Sequence, residues 1–94
     1  MDFNAFNTSL SHEAPPGDAG PALQAMWHAA NDDWQKAHRL AQDQRDAAGA
    51  WVHAYLHRVE GDARNAGHWY RRAGKPHSTA PLDQEWREIV AALL

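Results

Sequence analysis

The chain has 94 residues, enough for one domain and too few for a second core. Nine Lys and Arg against 12 Asp and Glu leave a net charge of −3, which argues against a general nucleic-acid binder. The absence of cysteine excludes a disulfide, a thiol nucleophile and a cysteine-ligated metal.

Hydrophobic residues make up 44% of the chain, but 19 of them are alanine and five are tryptophan. Only Val52, Val59, Val90, Ile89, Thr8 and Thr79 are β-branched, so helices are expected and an extensive sheet is not. Alanine lets helices approach closely, and tryptophan and leucine must fill the core around it.

In chain order, residues 1–20 differ from the rest. Met1 to Leu10 lack the basic start and apolar run of a secretory signal. No apolar stretch approaches the ~20 residues of a membrane helix, so a soluble cytoplasmic protein is expected. Phe3, Phe6 and Leu10 sit three and four apart and suit a short amphipathic turn or helix. Ala14-Pro15-Pro16-Gly17 then interrupts any helix, giving an arm followed by a linker. A single helical domain is expected over 21–94.

Five helices are predicted there, over about 21–30, 33–46, 48–60, 63–73 and 81–93. Pro21 suits a first helical position, and Asp32 with Gln35 reads as a capping box for the second helix. Trp51, Val52, Tyr55, Leu56 and Val59 form the apolar stripe of the third. Gly61 fits the left-handed position that ends it, and Asp62 caps the fourth. Gly74 and Pro76 end the fourth helix. Ser78 or Thr79 is expected to cap the last, whose buried face is Leu82, Trp86, Ile89, Val90 and Leu93. Short turns between helices imply antiparallel neighbours. A shift of 29 residues superposes Ala25 on Ala54, Asp33 on Asp62 and Ala37 on Ala66, as if one hairpin were repeated.

Gly61-Asp62, Ala66, Trp69-Tyr70 and Ala73-Gly74 resemble the second half of tetratricopeptide and related helical-pair repeats. The period of 29 departs from their usual ~34, and the first-helix signature is not matched in register. The run Gly49-Ala50-Trp51-Val52-His53-Ala54-Tyr55-Leu56-His57-Arg58, with Glu60-Gly61-Asp62, also resembles a small family of uncharacterised bacterial and fungal proteins. That likeness runs from about Trp27 to the C-terminus. It implies a helical fold and no particular activity.

Three groups of residues bear on function. His53, His57 and Glu60 lie at i, i+4 and i+7 of one helix, so two imidazoles and a carboxylate share a face and suit a divalent metal such as zinc. The alternative is a polar helix face, with Glu60 supporting His57. The general-base glutamate of a His-Glu-x-x-His motif is absent, because Ala54 follows His53. His38, His53 or His57 with Asp33 or Glu60 would also make an acid–base pair.

Arg64, Arg71, Arg72 and Lys75, with His68 and His77, occupy a stretch from 63 to 82 free of acidic residues. This patch suits a phosphate or a partner's carboxylates, or simply complements a helix dipole. Tyr55, Tyr70 and Arg58 are placed to line a groove edged by a tryptophan. Neither a nucleophile elbow nor a Gly-rich phosphate loop is present.

The expected fold is all-α: antiparallel hairpins in a right-handed, tetratricopeptide-like stack with a capping C-terminal helix. The expected function is a non-catalytic module binding a protein or peptide, or a second copy of the chain, without cofactor, nucleic acid or membrane. Its binding residues would be His53, His57, Arg58, Glu60, Tyr55, Tyr70, Arg71 and Arg72. The competing class is a small metal-dependent or acid–base enzyme using His53, His57 and Glu60.

Overall fold

Many alanines and few β-branched residues favour helix, and the computed structural model, which describes residues 1–94, contains six α-helices and no strand. They are α1 (Phe3–Ser9), α2 (Pro21–Ala30), α3 (Trp34–Asp43), α4 (Ala47–Val59), α5 (Ala63–Ala73) and α6 (Leu82–Leu93). None is long and apolar enough to cross a membrane.

Aspartate side chains start four of the six. Asp2, Asp33, Asp46 and Asp62 accept the backbone N–H of Ala5, Lys36, Gly49 and Asn65, satisfying a donor that the first turn leaves unpaired. The cap of α3 is therefore Asp33 and not Asp32. Asp32 takes the left-handed conformation, with φ +62°, as the last residue of the preceding turn. Neither Ser78 nor Thr79 caps α6; the cap is Pro81, and Asp83 and Glu85 supply negative charge to the first turn instead.

The second predicted helix also stops early, at Asp43 rather than 46. Gln44 turns extended and its side chain accepts the Ala22 N–H at 2.9 Å. A Cβ on Gly49 would lie 1.8 Å from the Gln44 carbonyl oxygen, so this sharp α3–α4 turn requires glycine at 49.

The 29-residue echo is present in the backbone. Asp32 and Gly61 (φ +62° and +85°) occupy equivalent left-handed positions. The next residues, Asp33 (φ −106°, ψ 72°) and Asp62 (φ −99°, ψ 79°), are near copies. Their amides donate to the carbonyls of His28 and His57, also 29 apart. Ala25, Ala37, Ala54 and Ala66 are all fully buried, where α2 meets α3 and α4 meets α5. A larger side chain at any of them would force the helices of its hairpin apart.

Helix α4 is central, in contact with α2, α3, α5 and α6. Val52, Tyr55 and Leu56 join Met26, Trp27, Trp86, Ile89 and Val90 in the main core. The N-terminal arm belongs to this core: Phe6 is fully buried 6.1 Å from Trp86, a burial that contributes about 1.5–3 kcal/mol.

Four indole N–H groups tie elements together, from Trp27 to the Ser9 carbonyl, Trp34 to Leu56, Trp86 to Met26 and Trp51 to the Glu85 carboxylate. Val59 and Leu82, expected inside, are exposed at the ends of their helices. Glu85 is buried instead, on the stripe with Trp86 and Ile89.

Candidate metal centre

Because α4 is covered on several sides, its polar face is enclosed as well. His53 and His57, four residues apart, are only 3% and 5% exposed. Helix α3 covers them with His38, one turn after Trp34, and α5 covers them with Trp69. One nitrogen from each of His38, His53 and His57 lies within 4.8 Å of the others.

Aromatic walls hold the rings. His53 stacks on Trp69 with centroids 3.7 Å apart, and His38 stacks on Trp34 at 4.7 Å. The His38 ring meets His53 edge-on at 4.5 Å. On the other side of the cluster, Glu60 Oε2 lies 2.5 Å from His57 Nδ1. A carboxylate accepts only, so His57 Nδ1 carries a proton and Nε2 is the nitrogen left for a metal.

The cluster disfavours protonation. Burial, then the neighbouring His38 and His57, lowers His53 to about 4, with Arg72 and His68 adding to the effect. Burial and His57 also lower His38, against the opposing pull of Glu60. Both shifts favour the neutral imidazole of His53 and His38, the form that ligates metal. No side-chain nitrogen or oxygen is sealed inside without a partner. The ring nitrogens of His38 and His53 that lack hydrogen bonds therefore reach solvent.

A cleft of about 520 Å³ opens beside His53. Gly49 and Ala50 of α4, Gln42 of α3, Arg45 of the α3–α4 turn, and Trp69 and Arg72 of α5 line it. The Arg72 guanidinium lies over the Trp69 ring, 4.8 Å from its centroid.

Of the residues singled out in the sequence, His53 and His57 meet, Glu60 meets only His57, on its Nδ1, and the third residue beside the two imidazoles is His38. Glu60 and Asp62 also approach His57 as potential ligands, from the exposed end of α4.

Arg58 lines a small cleft with Gly61, Ala63, His77 and Leu82, which has no tryptophan edge. Tyr55 is in the core, where burial and Glu85 raise its phenol to about 12. The Tyr70 hydroxyl donates to Glu85 at 2.6 Å, and burial together with this contact pushes its pKa above the ordinary value. Arg58 donates to Glu85 Oε1 and to the Ala80 carbonyl, both at 2.6 Å. The buried Glu85 carboxylate draws all these groups inward.

The basic residues divide between two places. Arg71 and His77 both lie beside Gly67 and Lys75 sits over Trp51, while of this stretch Arg72 is the basic residue that lines the cleft.

Glu85 escaped the sequence reading of the sites, and His38 entered it only as half of an acid–base pair and not as a metal ligand. His38 carried a legible mark, its i, i+4 relation to Trp34, but nothing local says that it faces α4. Glu85 interrupts the apolar stripe of Leu82, Trp86 and Ile89 and was visible as a carboxylate on a buried face. No family model, curated protein or solved structure matches the chain.

Proposed function

We propose that the chain is a small metal-dependent enzyme that holds a zinc-type divalent ion on His38, His53 and His57. One observation carries this reading: three imidazole nitrogens within 4.8 Å of one another, one ring backed by a carboxylate. Three protein ligands with a position left over is the pattern of catalytic rather than structural zinc. Glu60 on Nδ1 fits the carboxylate–histidine–metal arrangement that orients a ligand ring and raises its basicity.

Ligands ~2.0–2.1 Å from a tetrahedral ion lie about 3.3 Å apart. Closing from 4.8 Å asks for shifts of about 1 Å at each ring nitrogen. The ion's chemistry there is to lower the pKa of a bound water toward ~7 and so supply a nucleophile at neutral pH. The protein's part is to present the imidazoles, orient the His57 ring through Glu60 and give access through the cleft.

Zinc titrated into chelator-treated protein tests this by calorimetry. One saturable site is expected at micromolar concentration or tighter. It is lost in His53→Ala and His38→Ala and weakened about 10–100-fold in Glu60→Ala. No saturable uptake, or uptake unchanged in His53→Ala, refutes the reading.

The copied turn and the four buried alanines support a second reading, of the scaffold. α2–α3 and α4–α5 form a short tetratricopeptide-like, right-handed stack capped by α6. On it the chain is an interaction module, with a peptide, a protein or a second copy of itself as partner. Sedimentation and metal content separate the two, since a metal-free protein that self-associates favours the module.

A further inference from the structure

The cleft beside His53 has an unbalanced charge. Two arginines line it, Arg45 and Arg72, and neither makes an ion pair with a carboxylate. The ion pairs of the chain are His57–Glu60, Arg58–Glu85 and Arg87–Asp83. The only carboxylate in the lining, Asp46, is engaged. It accepts the Gly49 N–H at 2.9 Å as the cap of α4 and the Gln44 side-chain amide at 3.1 Å. A cationic cleft on a chain of net charge −3 is a local feature and not the consequence of a basic protein.

Arg72 is also held in place. Its guanidinium lies over the Trp69 ring, and the same indole stacks on His53. It makes no ion pair, so the N–H edge of the guanidinium remains available. That edge matches the two oxygens of a carboxylate or phosphate. Arg72, Trp69 and His53 line the same cleft, and its volume of about 520 Å³ is the size of a small-molecule site.

We infer that the substrate is a small anionic molecule whose carboxylate or phosphate group is held by Arg72, with Arg45 assisting, while its reacting group meets the ion on the histidines. The inference rests on the metal-site reading for the second half of that statement only.

Inorganic phosphate and acetate, titrated by calorimetry into zinc-loaded and chelator-treated protein, test it and tell the two anion types apart. Saturable binding of at least one is expected in zinc-loaded protein, with weaker binding in the metal-free form. Arg72→Gln should weaken binding about 10–100-fold. Arg72→Lys, which keeps the charge without the planar fork, should fall between. Arg71→Gln, on the neighbouring residue outside the cleft, should change nothing. All these variants should take up zinc as the parent does.

Zinc uptake without anion binding overturns the inference and leaves the metal site standing, as does anion binding that Arg72→Gln leaves intact. Anion binding that depends on Arg72 in a protein that takes up no zinc supports the anion site and sinks the metal reading. No binding of either overturns both.

Discussion

The most exacting test of the interior is at Glu85. Its carboxylate is 1% exposed and receives the Tyr70 hydroxyl at 2.6 Å, Arg58 at 2.6 Å and the Trp51 indole N–H at 3.3 Å. Arg58→Met keeps most of the aliphatic stem and removes the only cation in contact with this carboxylate. Breaking a buried pair from one side costs about 3–5 kcal/mol, because it strands a charge.

Tyr70 and Trp51 still donate to Glu85, which places the expected loss near the lower end, about 3 kcal/mol. A domain of this length has a total stability of roughly 5–14 kcal/mol, so the loss should lower Tm by about 12–24 °C. Adding Glu85→Gln removes the stranded charge and keeps a carbonyl oxygen for Tyr70. The double variant should therefore be about 1–2 kcal/mol more stable than Arg58→Met alone, a strong departure from additivity. Urea unfolding followed by far-UV circular dichroism measures all three. The reasoning fails if Arg58→Met costs under about 1 kcal/mol, or if the losses of the two single variants simply add.

Two further outcomes follow from the repeat and from the histidines. Asp32 holds a left-handed conformation that costs a non-glycine residue about 1–2 kcal/mol, less for Asp, and its equivalent is Gly61. Asp32→Gly should thus stabilise by about 0.5 kcal/mol after the entropy of a freer unfolded chain is set against it, whereas Gly61→Ala should destabilise by about 1 kcal/mol; thermal melts showing the same sign at both sites would disprove the equivalence. In metal-free protein, His53 is depressed from 6.5 to about 4, so the unfolded chain binds its proton first as pH falls. Its contribution to stability is complete above pH about 6.5 and lost by about 4. The full shift corresponds to roughly 3 kcal/mol, reduced to about 1–2 by solvent in the cleft. Urea midpoints of parent and His53→Gln across that range should converge on acidification, and parallel curves would show that His53 is not the group responsible.

Helix ends were legible to the extent that they depend on partners three or four residues away. Asp62, Gly61, Gly74 and Pro21 act as local chemistry predicts, because a cap, a left-handed turn and a first-turn proline need only their neighbours. With Asp32 and Asp33 adjacent, composition does not say which caps α3. The choice falls to the left-handed residue that must precede the cap. The stripe on α4 was read from one face, and the helix turned out to be enclosed on more than one. A sequence gives the period of a helix but not how many neighbours surround it.

The sequence alone settled that this chain is helical, where most of its helices begin, that a hairpin device recurs at 29 residues, and that His53 and His57 share a face with Glu60 beyond them. Each of these is a short-range matter of backbone preference and helical spacing. Tertiary packing alone brought His38 across from α3, stacked Trp69 on His53, and buried Glu85 against Tyr70 and Arg58. Those contacts join residues 15 to 27 positions apart, on helices whose relative angle and rotation depend on how all the buried side chains fit together. A candidate metal site made of two helices and an aromatic wall exists only after that fit has been made.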